Sequence, residues 1–362
     1  MTLHIFNPEH DIALASGLSN FTAPHAGRQL HHDLGFLPAA WAGEGDVVLV
    51  DDASQAQAAW HRLRHRIRTL PGCEHLAGAT PEFAATKHWA CTGQALSINP
   101  WGWNSALCAL LKRRGVSAEL LPTEEQLQSV RQLSHRRTAA CLLPKLRMDG
   151  TVGEAFECRS PEQIDELLSQ YGRLVLKAPW SSSGRGLRFV SPSQNLRNSA
   201  HIAGWFRHIV DVQGSVMAEP YYNKVKDFGM EFYSDGQGGI DYLGLSVFHT
   251  SNGAYTGNIL ATEKVKREMI SRYVPVEFLE MVQQKICMEL SDVFKGKYSG
   301  PFGIDMMLVN GERCQLHPCV EINLRRTMGH VALTLSPNDD ETKYVMRIEY
   351  SNENYKLTIN RL

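Results

Sequence analysis

At 362 residues the chain is longer than one compact core usually organises, which predicts two or three subdomains sharing a cleft. An apolar fraction of 43% and seven Trp supply material for a core, while a formal net charge of -1 removes nucleic acid and anionic lipid as charge-driven partners. No apolar run approaches the ~18 residues of a membrane span, and residues 1–11 hold neither a basic nor a sustained apolar segment, so a cytoplasmic, non-membrane protein is expected.

Short buried strands are predicted at Leu3–Phe6 and Asp46–Val50, each followed by a polar turn and a helical stretch, the alternation of an α/β domain. Gln94–Ile98 repeats the unit, followed by Asn99–Asn104 and a helix from Ser105 closed by Gly115. This N-terminal domain is expected to span 1–125. Its loops Asn7-Pro8-Glu9-His10-Asp11 and Asn99–Asn104 leave strands and enter helices, which places both at the carboxyl edge of a parallel sheet, where ligands bind. Turn chemistry explains them equally well, since Asn-Pro starts turns and Asp11 or Ser105 would cap a helix. Of the two, the first is favoured for substrate: Asn7 is followed by three titratable groups, Glu9, His10 and Asp11, in one turn.

The middle of the chain holds Gly172–Val190, an apolar strand ending in Lys177 and a small-residue loop containing Ser181, Ser182, Ser183, Gly184 and Gly186. Lysine at the end of such a strand keeps its ammonium out of the core, and an anion is its natural partner. Ser and Gly let backbone N–H groups close over phosphate oxygens. An ordinary connection between two strands is the alternative.

Near the C-terminus, Gly303–Val309 and Cys319–Arg326 read as strands joined through Asn310–Arg313. Asp305, Glu321 and Asn323 are hard oxygen donors, and Glu321 and Asn323, two apart, share one face and can reach one magnesium; Arg325 continues that face. Unpaired buried carboxylates cost several kcal/mol, so metal plus nucleotide phosphates would satisfy the acids and the arginine together. The eight cysteines are scattered and expected to be reduced. Cys314, His317 and Cys319 have zinc-ligand chemistry but no fourth partner.

The order of these features, lysine and Ser/Gly loop, Glu219-Pro220, the acid Asp227, Asp305, then Glu321-x-Asn323-x-Arg325, resembles the ATP-grasp superfamily over roughly residues 130 to 330. The resemblance implies a mixed α/β and α+β architecture, an ATP-grasp fold preceded by an N-terminal Rossmann-like (pre-ATP-grasp) α/β domain. Boundaries follow at 126–215 for a small lobe with the phosphate loop and 216–362 for a large lobe with hinge, metal site and C-terminal hairpin. It implies ATP and Mg2+ as cofactors. Lys177 is then the phosphate-contacting lysine, Ser181 to Gly186 the loop over the phosphates, and Asp227 the ribose acid. Val216–Tyr222 is the hinge strand, where Glu219, the Pro220 carbonyl and the Tyr222 N–H meet adenine. Asp305, Glu321 and Asn323 become the magnesium ligands, and Arg325 steadies the transferred phosphoryl.

Two departures stand out. The family's further basic residue before the loop lysine has no clear counterpart, so Arg136 is the candidate and Lys145 its alternative. A two-residue turn at Asn310-Gly311 would also pair Asp305 with Leu316, leaving Glu321 five residues, roughly 16 Å, along the strand. A magnesium site therefore predicts a longer loop, Asn310 to Cys314, and a bulge at Pro318, which lacks a ladder donor.

Phe248–Asn258, a polar Gly-containing segment, is similar to the superfamily's mobile loop over the acceptor, with Tyr255 and Asn258 as candidate substrate contacts; a plain solvent loop is the alternative. Thr327–His330 follows Arg325 closely enough to reach phosphate or substrate, and Tyr344–Ile359 reads as a terminal hairpin. The implied activity is ATP- and magnesium-dependent ligation, in which a carboxylate becomes an acyl phosphate that an amine or thiol attacks. A small-molecule kinase, with His10 or Asp11 as base, and an inactive nucleotide-binding protein are the alternatives. Small-molecule substrates are the expected partners, and a homodimer is the default assembly.

Overall fold

The computed structural model describes residues 1–76, 80–91, 97–181, 186–251 and 254–362. The N-terminal sheet is built from β1 (Thr2–Ile5), β2 (Val47–Val50), β3 (Glu82–Ala85) and β4 (Ser97–Pro100), all parallel, in the order β3-β2-β1-β4. Helices α1 (His10–Ser16), α2 (His25–Leu34), α3 (Ala53–Arg68) and α4 (Ser105–Arg113) connect and flank them. β2 is buried along its whole length, which is why it reads as an apolar run without alternation. The strand order reverses between β2 and β4 at β1, so the loops after β1 and β4 border the crevice at the switch point.

Three details differ from the sequence expectation. β3 joins the sheet although its four residues carry little strand signal, and Gln94, Ala95 and Leu96 lie outside the described residues. The cap of α4 is Asn104, whose side chain accepts from the Leu107 N–H; Ser105 is already helical. Asp11 caps nothing, because α1 starts from Glu9 without a side-chain cap and Asp11 is drawn to an arginine described below.

Beyond α5 (Glu124–Leu133) and α6 (Arg137–Leu142), a second sheet holds β5 (Phe156–Cys158), β6 (Leu174–Lys177), β7 (Leu187–Val190) and β8 (Val216–Pro220), antiparallel in the order β5-β8-β6-β7. Helices α7 (Pro161–Tyr171) and α8 (Ala200–Gln213) share its core through Ile164, Leu168, Ile202 and Phe206. The hinge strand β8 pairs within this small sheet, on either side with β5 and β6.

The third sheet is antiparallel and seven-stranded: β9 (Lys224–Ser234), β10 (Ile240–Ser251), β11 (Ala254–Leu260), β12 (Gly300–Val309), β13 (Gln315–Asn323), β14 (Tyr344–Ser351) and β15 (Asn354–Arg361), ordered β13-β12-β9-β10-β11-β14-β15. Helices α9 (Glu263–Ser271), α10 (Val276–Phe294) and α11 (Met328–Thr334) accompany it. Alternation along β9 and β12 sends Phe228, Met230, Phe232, Phe302, Ile304 and Met306 into one core with Val282, Ile286 and Phe294 of α10. The polar residues between them face the other way.

The segment Phe248–Asn258 is a hairpin and not a long loop. Thr250 pairs with Tyr255 and Ser251 with Ala254, and Asn252 and Gly253 lie outside the described residues. Its aromatic and β-branched residues favour the pleated ladder over a solvent loop. β12 and β13 end at Val309 and begin at Gln315, leaving the five-residue connection 310–314. Asp305 pairs with Glu321 and Met307 with His317, so Pro318, Cys319 and Val320 oppose Met306 alone. This is the long loop and bulge the metal reading required. The terminal hairpin is tied to the N-terminal domain: the Tyr355 N–H donates to Asp33 Oδ2 at 2.7 Å, and Arg66 Nη2 to the Ile359 carbonyl at 2.6 Å. Among the described residues no helix is long and apolar enough to cross a membrane.

Candidate active site

Asp305 faces Glu321 across β12 and β13, and Gly303 faces Asn323, so both acids and the amide share the face opposite the α10 core. β9 adds Glu231 beside Gly303. Burial, then the carboxylates of Glu321 and Glu231, push Asp305 up to about 7, against the pull of Arg325 and Asn323. Glu231 is buried against Gly303 and Gly329, where a side chain at either glycine would overlap its carboxylate. Gly329 belongs to the Thr327–His330 turn, whose Thr327 and His330 cap α11, and His330 Nδ1 also lies 2.9 Å from Glu231 Oε2.

Three cations each hold a different carboxylate, Lys177 that of Glu219, Arg136 that of Glu321 and Arg325 that of Asp11. Lys177, at the end of β6, is buried and donates to Glu219 Oε2 of β8 at 2.5 Å. Arg136, just before α6, places Nη1 2.7 Å from Glu321 Oε2, donates through Nε to the Ala178 carbonyl at 3.0 Å and through Nη2 to Ser181 Oγ at 3.2 Å. Burial opposes its charge, but Glu321 and Glu219 outweigh that and raise it above its ordinary value. Lys145 is remote from this cluster, exposed and 3.2 Å from Glu289. Gly186 is required where it stands: its carbonyl accepts from the Ala178 N–H, and a Cβ would meet the Ser181 side chain at 2.5 Å. Ser182, Ser183 and Gly184 lie outside the described residues.

Arg325, two residues past Asn323, grips Asp11 of α1. Its Nε donates to Oδ1 at 2.9 Å and its Nη2 to Oδ2 at 2.7 Å, while Nη2 also donates to Asn323 Oδ1 at 2.9 Å. Burial would push the Asp11 carboxyl up, but Arg325 holds it below its usual range. This fork joins the N-terminal domain to the large sheet.

The two N-terminal loops clip together. Asn7 Nδ2 donates to the Gly102 carbonyl at 2.8 Å, and the Gly102 N–H returns a bond to Asn7 Oδ1 at 3.3 Å. His10 is fully buried with its ring on Gly102, which leaves no room there for a Cβ. Its Nδ1 lies 3.3 Å from Asn104 Nδ2, its Nε2 has no partner, and burial lowers its pKa to about 4. Glu9 Oε2 sits 3.4 Å from His31 Nδ1.

In the segment expected to be the hinge, Pro220 ends β8 and Tyr222 lies edge-on to His317, with ring centroids 5.5 Å apart. Asp227 Oδ2 accepts from Lys224 Nζ and from Thr250 Oγ1, both at 2.5 Å. His317 is fully buried with neither ring nitrogen partnered, and burial, then the nearby Lys177, depress it to about 3. Sequence reasoning set His317 beside Cys314 and Cys319 and missed its place at the hinge; among the described residues no three His, Cys, Asp or Glu side chains converge as a metal cage. Tyr255 and Asn258 are not brought to the cluster. Tyr255 donates to Asn258 Oδ1 at 2.5 Å and Asn258 Nδ2 to Ser246 Oγ at 2.8 Å, three strands from β12, or roughly 14 Å.

No protein-family model matches the chain, and no curated protein matches its sequence. Its fold does match solved structures. The biotin carboxylase domain dimer of a Hydrogenobacter thermophilus 2-oxoglutarate carboxylase, in complex with MgADP, ADP and bicarbonate, aligns with TM-score 0.53 at 12% identity, over 96% of this chain and 74% of that one. A Campylobacter jejuni biotin carboxylase in a β-γ-ATP complex aligns with TM-score 0.51 at 12% identity, over 98% and 77%. An N5-carboxyaminoimidazole synthetase from Staphylococcus aureus with ADP covers 97% of this chain and 83% of its own at 14% identity, with TM-score 0.48.

Proposed function

We propose, from the ATP-grasp fold that this chain shares with the two biotin carboxylase structures, that it binds ATP with magnesium and activates a substrate carboxylate for ligation to an amine or thiol. The observation that carries this reading is the pairing of Asp305 with Glu321 across a bulge that brings Asn323, Arg325 and Arg136 to the same face. Two carboxylates and an amide suit magnesium, which takes few protein ligands and keeps waters and phosphate oxygens. Burial first, and the neighbouring carboxylates of Glu321 and Glu231 second, disfavour the Asp305 anion, a cost that a dication would offset. Asp305, Glu321 and Asn323 would hold the ion, which would supply positive charge to offset that of the phosphate oxygens.

Lys177 and Arg136 exchange Glu219 and Glu321 for phosphate oxygens on binding, and the released Glu219 and the Pro220 carbonyl accept from the adenine amino group beside Tyr222. Asp227 bonds the ribose hydroxyls. A carboxylate oxygen of the substrate attacks the γ-phosphorus, ADP leaves, and Arg325 steadies the phosphoryl group; the amine or thiol then displaces phosphate from the acyl phosphate. Asn7, Glu9, His10 and Asp11 border the acceptor side. The kinase alternative needs a base there, yet Asp11 has both oxygens engaged by Arg325, which lowers its basicity, and His10 is sealed from solvent. The inactive-protein alternative leaves the paired set of cations and acids without a use. A homodimer and a cytoplasmic location complete the reading.

The test is thermal stability with ATP, with and without magnesium, for wild type and Lys177→Ala, followed by ADP release across a panel of carboxylates with amines or thiols. A magnesium-dependent rise in wild type that the variant loses is expected; no rise in wild type at millimolar nucleotide would put the inactive reading first.

A further inference from the structure

A cavity of about 660 Å³ lies between the edge strand β4 with the loop that follows it and the outer ends of β9 and β12, lined among others by Trp103, Tyr233, Lys297, Tyr298, Pro301 and Arg326. Pro301 pairs with Tyr233 and shares the face of Gly303 and Asp305, so the cavity borders the face of the paired acids, about 13 Å along β12 from Asp305.

Arg326 is the unexplained group. Its guanidinium has no hydrogen bond or ion pair among the described residues, and the residues outside them carry no acidic side chain. Its Nε is buried without a partner, and its Cζ lies 4.6 Å from the centroid of the Trp41 ring. Its backbone N–H donates to the Trp101 carbonyl at 2.8 Å, so the head is held in place by stacking and backbone. Its ionisable neighbours include the phenols of Tyr298 and Tyr233 and the imidazole of His4; burial lowers it to about 10. The lining residue Asp235 spends Oδ1 on the Gln237 and Gly239 N–H groups. A desolvated guanidinium is costly unless an anion meets it, and its planar fork fits a carboxylate or phosphate bidentately.

We propose that this cavity binds an oxyanion, the carboxylate or phosphate of a small acceptor molecule, with Arg326 as the anchor and Trp103 and Tyr233 as walls for a planar or apolar body. The word acceptor rests on the ligase reading; the anion site itself does not. A volume in this range is that of ordinary small-molecule sites. Lys297, exposed at the lining, adds a second positive charge without a buried role.

The test uses the intact protein with three probes, 4-fluorobenzoate, its neutral counterpart 4-fluorobenzamide, and inorganic phosphate, followed by fluorine NMR and titration calorimetry. Wild type is expected to bind 4-fluorobenzoate or phosphate and not the amide; whichever anion binds more tightly assigns carboxylate or phosphate as the natural group. Arg326→Gln should weaken the anion by about tenfold or more, Arg326→Lys by less, and Tyr233→Ala should weaken 4-fluorobenzoate more than phosphate. Equal binding of benzoate and benzamide, equal affinity in wild type and Arg326→Gln, or no anion binding at millimolar concentrations would overturn the site. Stabilisation by ATP with magnesium reports folding of Arg326→Gln and separates the two readings. Nucleotide binding with anion binding indifferent to Arg326 sinks the cavity alone; Arg326-dependent anion binding in a protein that ignores nucleotide sinks the ligase reading alone.

Discussion

Arg325 and Arg326 are neighbours in sequence and opposites in environment. Arg325 belongs to a region where the cations are matched to carboxylates: Arg325 with Asp11, Arg136 with Glu321, Lys177 with Glu219 and Lys224 with Asp227. Arg326 enters a cavity where its guanidinium meets phenols and an indole but no carboxylate. The paired region keeps its charges compensated within the protein, and under the proposed function phosphate and metal would trade places with the protein's own partners. Arg326 has no partner to trade, so whatever binds there gains the whole of its attraction.

The largest expected effect tests that contrast directly. Arg325→Ala strands Asp11 in a site where it is largely removed from water, and should destabilise the protein by about 3 kcal/mol, read from the urea midpoint. Arg326→Gln removes a charge that nothing compensates, and should leave stability within ~0.5 kcal/mol of wild type or raise it. Equal losses in the two variants would break the comparison. Next comes Lys177→Ala, which should cost about 2 kcal/mol because Glu219 is 5% exposed and loses its only salt-bridge cation among the described residues. Adding Glu219→Gln should restore most of that stability, yet neither variant should be stabilised by ATP with magnesium. A double variant that regains nucleotide stabilisation would show that Lys177 does not contact phosphate.

Much of the paired region was legible because it depends on local rules. A lysine closing an apolar strand, an acid and an amide two apart on another, and a proline that cannot donate to the ladder together anticipated the place of Lys177, the shared face of Glu321 and Asn323, and the bulge opposite Met306. Other features were less so. Phe248–Asn258 carries Asn252-Gly253 between strand-forming residues, a hairpin signal that the likeness to a mobile loop overrode. The contact of Arg325 with Asp11 spans residues far apart in the chain, and no spacing rule reaches it. Arg326 carries no signal of its own in the sequence, because being unpaired is a property of the tertiary surroundings. Arg136 was distinguishable from Lys145 only once α6 had packed against the second and third sheets.

Acid should separate the N-terminal loops from the rest by a smaller amount. Burial holds the folded-state pKa of His10 at about 4, below the ordinary value near 6.5, so the unfolded chain takes up its proton first. The stability His10 contributes is therefore present above pH ~6.5 and is lost as pH falls toward about 4. Asp305, raised to about 7, has the opposite sign and offsets part of this, since its carboxyl is protonated in the folded state before the unfolded one. The difference between wild type and His10→Gln isolates the histidine. Wild type should lose about 1–2 kcal/mol more than the variant between pH 7 and pH 4.5, measured by denaturant midpoints. Parallel curves would mean that His10 stays reachable by water and that the loops open around it.

The smallest effect is expected at Cys314, and its smallness sharpens the metal assignment. Cys314 sits at the end of the 310–314 connection, partly exposed, while Cys319 is buried in the bulge and His317 is directed to the hinge beside Tyr222. The three do not converge, and among the described residues no thiolate site would compete with the proposed ligands Asp305, Glu321 and Asn323 for a cation. Cys314→Ser should thus change stability by no more than ~0.5 kcal/mol and leave the magnesium dependence of nucleotide stabilisation as it is in wild type. Glu321→Gln, in the same measurement, should abolish that dependence while also releasing Arg136. If Cys314→Ser removed it and Glu321→Gln did not, the cation would have to be placed on the strand's sulfur and imidazole groups, and the acids would be left as partners for the arginines alone.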